Sequence, residues 1–227
     1  MLYSEEAVRA NIRNRDGKRV FYLRREDNLT CAARDYLVRE RVEILPADQA
    51  KPERYQLLGG GYLEEKPEHM THLNAQILVP KNHPRILFRG KMDTLEAELT
   101  LCQLRLPELS EPLGEVLALS RQIIACDVLE KPLAADKLCG MSEGELRRRS
   151  HFPQDFYGQP HFMPSSADGE TITLLNRLRC AIRETELAAV AAFQNPDGTI
   201  RREDILRSLN RMSSMVYIMM IEQKAKL

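Results

Sequence analysis

Between Met212 and Ile221 the sequence MSSMVYIMMI is apolar nearly all the way round a helix. Such a helix has no broad face to give to water and needs other helices around it. The preceding run LLNRLRCAIRETELAAV, Leu174 to Val190, supplies one neighbour: Leu175, Leu178, Ile182 and Ala189 recur on one helical face. Upstream, Met92, Leu95, Leu99, Cys102 and Leu106 keep a 3-4 spacing. Val116, Leu117, Ile123, Ile124 and Val128 mark a further helix over Glu108 to Glu130, and Ser142 with Glu145 forms a capping box ahead of a short one ending at Ser150. The fold class expected is therefore mainly α, an antiparallel bundle of about five helices over residues 84–227.

Residues 1–46 read as a small α/β appendage. VFYL and VEIL are strand-like, and Thr30 is placed to cap a helix through CAARDYLVRER. Residues 47–83 are rich in proline and glycine and read as linker and loop, interrupted by a short β-like ILV run. The triple glycine Gly59 to Gly61 lacks the Gly-Lys-Ser/Thr continuation of a phosphate loop. Pro84 suits the first turn of a helix. The stretch from His151 to Glu170 reads as a long irregular loop, and its three phenylalanines and one tyrosine argue against disorder. Asp168 or Thr171 is expected to cap the following helix.

Two polar features lie against the expected core. Arg179, Arg183 and Glu186 stand at i, i+4 and i+7 on the edge of the apolar stripe, whereas Arg177 and Glu184 fall on the solvated side. Asn210, Ser214 and Tyr217 form a polar strip along the last helix. Groups so placed need partners. Salt bridges between helices would satisfy them, and so would an anionic ligand, since a guanidinium fork fits carboxylate and phosphate alike.

With 33 basic and 33 acidic residues, the chain lacks the basic footprint of a nucleic-acid binder. No stretch approaches the ~20 apolar residues of a membrane span, and no export signal is read at the N-terminus. The five cysteines, at 31, 102, 126, 139 and 180, include no CxxC pair, and the histidines show no HExxH or HxH spacing. Reduced thiols in the cytoplasm and no protein-held metal are the expectation.

RLRCAIRETE followed by LNRMSSMVYIMM resembles the C-terminal signature of ATP:cob(I)alamin adenosyltransferases of the ethanolamine-utilisation type, with the propanediol-utilisation type a more distant relative. HMTHLNAQILVPKNHPRILFRGKMD, FMPSS and the N-terminal TCAARDYLVRERVEI extend the likeness over most of the chain. The resemblance implies transfer of the adenosyl group of ATP to reduced cobalamin, with Mg²⁺ arriving on the nucleotide. It also implies a homo-oligomer, a trimer before a dimer, with the nucleotide between subunits. A reductase and an adenosylcobalamin-dependent lyase are the implied partners, in a cytoplasm that houses a bacterial microcompartment.

The resemblance also implies residue roles. Lys81, Arg183, Glu186, Asn210 and Arg211 would bind ATP, with Thr71 and His72 as further nucleotide contacts. Asp93 would pair with Arg179 across the subunit interface. Phe162, with Met163 beside it, would displace the lower ligand of cobalamin, so Arg183 and Phe162 are the residues on which catalysis would turn. Three departures stand out. No cysteine motif precedes THL, so no metal is needed there; Ser214 occupies the position of an aspartate; and Ser165 and Ser166 replace a glycine pair. A non-catalytic cobalamin-binding or microcompartment-associated bundle, or a helical adaptor, would use the same fold.

Overall fold

The computed structural model describes residues 1–15, 17–49, 55–63, 65–134 and 136–227. Residues 50–54 of the expected linker lie outside the described residues. The chain divides into two compact units, Met1–Arg54 with Leu63–Glu65, and Tyr55–Tyr62 with Lys66–Leu227.

In the first unit, strand Lys18–Leu23 pairs antiparallel with Arg13–Arg15 and parallel with Glu43–Pro46. Helices α1 (Glu5–Ala10) and α2 (Cys31–Arg39) accompany this sheet. Thr30 caps α2 as expected, its hydroxyl accepting from Ala33 N at 3.2 Å. Val8, Phe21, Ala33, Tyr36, Leu37 and Val42 form the core of this unit.

The second unit is mainly helical: α3 (Pro84–Arg105), α4 (Ser110–Val128), α5 (Glu143–His151), α6 (Pro153–Tyr157), α7 (Gly169–Phe193) and α8 (Glu203–Lys224). Helix α7 packs on α3 and α8, α3 on α4, and α5 on α8. The apolar run of α8 is buried as its sequence demands: Met212, Met215, Val216 and every residue from Ile218 to Ile221 are at most 3% exposed. Leu175, Leu178, Ile182 and Ala189 of α7 are fully buried, as is the Met92–Leu95–Leu99 stripe of α3.

Several expectations change. Part of the stretch read as linker is a sheet, in which Ile77–Pro80 pairs with Tyr55–Leu57 and Met70–His72. Strands of three or four residues are too short for alternation to show. The triple glycine makes a turn: Gly60 and Gly61 have φ of +93° and +88°, a region that favours glycine, and the amides of Gly60 and Leu57 are spent on the turn itself. The expected single helix from Glu108 is a 3₁₀ turn, Pro107–Leu109, followed by α4, on which Leu113 and Leu119 are buried while Val128 is exposed. The stretch read as an irregular loop contains α6, which Pro153 opens and a left-handed Gly158 closes. Asp168 precedes α7 without capping it through its side chain.

Arg177 and Glu184 are exposed, as expected of the solvated side, and each is paired there. Arg177 reaches Glu98 at 2.5 Å and Lys91 reaches Glu184 at 2.9 Å, so each rung joins α3 to α7. Rising numbers on one helix meet falling numbers on the other, so these two helices are antiparallel.

Candidate functional site

Helices α7 and α8 face each other across a cleft of ≈ 880 Å³, closed at one side by the end of α5 and by residues 161–164. The geometry follows from helical periodicity. Arg179, Arg183 and Glu186 make one stripe, and Asn210 and Tyr217, seven apart, make the other. The stripes meet in reverse order. Asn210 donates through Nδ2 to Glu186 Oε1 at 3.2 Å, and the Arg179 guanidinium lies 5.1 Å from the centre of the Tyr217 ring. Between these rungs Arg183 is exposed and, among the described residues, has no hydrogen-bond or ion-pair partner. Opposite it, Ser213 and Ser214 turn their hydroxyls back onto the Asn210 carbonyl, at 2.9 and 3.1 Å.

Two neighbours orient the polar strip. Arg211 Nη2 donates to Asn210 Oδ1 at 2.7 Å, so the amide of Asn210 has its nitrogen toward Glu186. His161 Nε2 is 3.1 Å from the His151 carbonyl, which only accepts; that nitrogen therefore carries the proton. Nδ1 then accepts from the Tyr217 hydroxyl at 2.7 Å. Burial raises the Tyr217 pKa against the opposing charge of Arg179 and the backbone of Phe162, which keeps the hydroxyl protonated and able to donate.

Phe162 and Met163 lie at the mouth of the cleft. Phe162 is half-buried with Lys224 Nζ 5.9 Å from its ring centre, and Met163 is 90% exposed. A half-buried phenylalanine and an exposed methionine, lining one cleft with an arginine that has no partner among the described residues, suit a ligand with a flat apolar part and an anionic part. Glu186 is the one carboxylate lining the cleft among the described residues.

Six expected residues are thus brought together: Phe162, Met163, Arg179, Arg183, Glu186 and Asn210. Arg211 is not among them. Adjacent helical residues point about 100° apart, and Arg211 instead lines a small cavity of ≈ 40 Å³ with Glu143 and Leu138. Thr71, His72 and Lys81 belong to the Met70–His72 and Ile77–Pro80 region and do not line the cleft. Lys81 makes an exposed ion pair with Glu68 at 2.8 Å, which holds the Glu68 carboxyl below its usual pKa. Such pairs stabilise little and release easily. Asp93 is exposed on α3 and meets no partner among the described residues, Arg179 included.

A second cavity, ≈ 450 Å³, lies where the N-termini of α3 and α8 gather with the C-termini of α4 and α7. Its charges are largely mutually paired. Asp127, fully buried, accepts from Arg85 Nε at 3.1 Å and Arg89 Nε at 2.7 Å; Arg85 also bonds Glu130, and Arg202 bonds Asp204. Sequence reasoning missed this hub, although an aspartate at the C-terminal end of a helix opposes the helix dipole and signals a cationic partner. Burial, then Arg85, Arg201 and Arg89, depress the His83 pKa. Its neutral Nδ1 caps α3 by accepting from Arg85 N at 3.2 Å.

Burial pushes the Cys102 thiol up to about 11 and Cys139 up to about 12. Among the described residues no group of three His, Cys, Asp or Glu side chains could hold a metal, and no helix is long and apolar enough to cross a membrane.

Residues 61–223 match the family described as cobalamin adenosyltransferase. The corrinoid adenosyltransferase EutT of Salmonella typhimurium (strain LT2) is 39% identical over 163 residues, covering 71% of this chain and 61% of that protein. The corrinoid adenosyltransferase EutT of Escherichia coli (strain K12) is 37% identical over 158 residues, 69% and 59% of the two chains. The chain thus spans 61% and 59% of the length of these curated relatives. No solved structure matches the chain significantly.

Proposed function

Because the chain belongs to the cobalamin adenosyltransferase family, we propose that it transfers the 5′-deoxyadenosyl group of ATP to reduced cobalamin, in the manner of the ethanolamine-utilisation type. The observation that carries this reading is Arg183: a cation with no partner among the described residues, between two satisfied rungs, on a cleft large enough for a nucleotide. In the reaction the cobalt(I) electron pair attacks the 5′-carbon, the bond from that carbon to the triphosphate oxygen breaks, and triphosphate leaves with the pair. The protein's share is alignment and charge stabilisation. Arg183 neutralises the leaving phosphates. Asn210, with Glu186 beside it, contacts the nucleotide, and Arg211 acts on it through the Asn210 amide. When bound, Mg²⁺ would offset phosphate charge, and Glu186, the one carboxylate lining the cleft among the described residues, is the side chain there that would help to hold it.

The domain follows as a five-helix antiparallel bundle of α3, α4, α5, α7 and α8 over 84–227, with 1–46 as an appendage and 47–83 on the nucleotide side. Lys81 and Asp93 do not line the cleft of their own chain; in the homo-oligomer that the family resemblance implies, a trimer before a dimer, the neighbouring subunit's Lys81 would meet the phosphates and its Asp93 would meet Arg179. Thr71 and His72 would come with Lys81. The reaction needs an electron from a reductase and hands its product to an adenosylcobalamin-dependent lyase, in the cytoplasm beside a microcompartment.

The test is turnover itself. Full-length protein with MgATP and pre-reduced cob(I)alamin is expected to release triphosphate and form adenosylcobalamin one for one. ATP binding without triphosphate release would instead identify a non-catalytic corrinoid binder. No thermal protection by nucleotide, where a ligand at 100 times its Kd adds about 2.7 kcal/mol, would identify a helical adaptor.

Phe162 gives a second check. With the aromatic ring at the lower face of the corrin, water and the lower base are excluded and cobalt(II) becomes reducible. Phe162→Ala is expected to slow the route from cob(II)alamin at least about tenfold more than the route from pre-reduced cob(I)alamin, a difference of about 1.4 kcal/mol in the barrier. Equal losses on both routes would remove the axial role.

A further inference from the structure

Residues 161–168 leave the cleft mouth as a strap tied to α8 at two points. At one end His161 accepts from Tyr217 at 2.7 Å, while its other nitrogen is anchored on the His151 carbonyl at 3.1 Å. At the other end Asp168, 8% exposed, accepts from Lys224 Nζ at 2.6 Å. Asp168 also closes a local box, accepting from Ser165 N at 2.6 Å and Ser165 Oγ at 3.0 Å. Tyr217 and Lys224 are seven residues apart, hence on one face of α8 and about 10 Å apart along its axis. Between the two ties lie Phe162, Met163 and Pro164. Lys224 serves both purposes, since its ammonium also lies over the Phe162 ring at 5.9 Å.

This arrangement answers a physical need. Residues 161–165 lie outside helix and strand, ahead of a 3₁₀ turn at Ser166–Asp168; such a segment has many conformers, and fixing each residue's backbone costs about 1–2 kcal/mol. Holding one ring at one height over a cleft therefore requires ties on both sides of it. Ser165 and Ser166 stand where the resembling signature has glycines, and the Ser165 side chain supplies part of the far tie.

From this geometry we infer that Tyr217 and Lys224 form a two-point latch that sets the position of Phe162 against the corrinoid, and that both are positioning residues for the lower face of the ring. The inference rests on the reading of Phe162 given above. Neither residue needs to touch substrate; each acts through the strap.

Hydrogen–deuterium exchange on the full-length chain tests the latch without any substrate. Tyr217→Phe removes one hydroxyl and keeps the ring under Arg179. Lys224→Met keeps the stem and removes the charge. Loss of one such bond is expected to speed exchange of the amides at 161–163 and at 165–168 roughly five- to tenfold, with the interior amides of α8 unchanged. The second readout is the four-coordinate fraction of bound cob(II)alamin, followed by absorption and paramagnetic resonance in the presence of ATP. It is expected to fall in both variants while ATP affinity holds, and Lys224→Arg is expected to restore it. Unchanged strap exchange in both variants overturns the latch. Faster exchange with an unchanged four-coordinate fraction overturns the positioning role and leaves the proposed function standing. A wild-type chain that forms no four-coordinate cob(II)alamin sinks the reading of Phe162 and the positioning role with it.

Discussion

Asp127→Ala is expected to destabilise the helical unit by about 3–5 kcal/mol, the range for removing one partner of a buried ion pair. The carboxylate is 0% exposed and each of its oxygens accepts from a different arginine, Arg85 and Arg89, both on α3. Without it, Arg89 stays largely buried and loses its counter-charge, and Arg85 keeps only Glu130 and the backbone carbonyl of residue 127. Water reaches them poorly, because Arg85 and Arg89 side chains are 11% and 17% exposed. Denaturant midpoints at constant m-value measure the loss. Asp127→Asn keeps the shape and one acceptor and is expected to lose less. A change below about 1 kcal/mol for the alanine variant would mean that the arginines find other partners or water, and that the hub is incidental to the α3–α4 junction.

Arg183→Ala is expected to lower turnover by about 10²–10³, the effect of removing one preorganised donor from a developing anion. Its fold should be unaffected, because the side chain is exposed and breaks no bond among the described residues when it goes. The loss should sit in kcat more than in KM, since charge on the leaving triphosphate grows at the transition state. Normal turnover would remove the phosphate role. The same variant probes the shared site. Mixed with Lys81→Ala chains, Arg183→Ala chains are expected to regain turnover, because some junctions then pair an intact Lys81 with an intact Arg183 from the other chain. Two inactive variants that stay inactive when mixed would place Lys81 outside a site shared between chains.

The parts of this molecule that could be read from sequence are those with a local period. The buried face of α7, the all-round apolar α8, the stripe of α3 and the caps at Thr30 and Ser142 each repeat within one or two helical turns. The stripe of Arg179, Arg183 and Glu186 was legible for the same reason, and so was its need for partners. The partners were not. His161 meets Tyr217 across 56 residues, Asp168 meets Lys224 across 56, and Arg85 meets Asp127 across 42. Contacts at such separations leave no periodic trace. Helical phase alone separates Asn210 from Arg211, yet an adjacent pair in a recognised signature reads as one contact, and the structure divides it into a cleft residue and its support.

The rungs between α3 and α7 carry a consequence of their own. Lys91 opposes Glu184 and Glu98 opposes Arg177, so reversing one rod against the other would bring ammonium to guanidinium and carboxylate to carboxylate. Exposed pairs of this kind hold little energy, on the order of 0.2–1 kcal/mol each, but the wrong arrangement turns attraction into repulsion at both rungs together. They therefore act as a polarity check. The parallel arrangement of these two helices is thereby disfavoured relative to the observed one by both rungs at once.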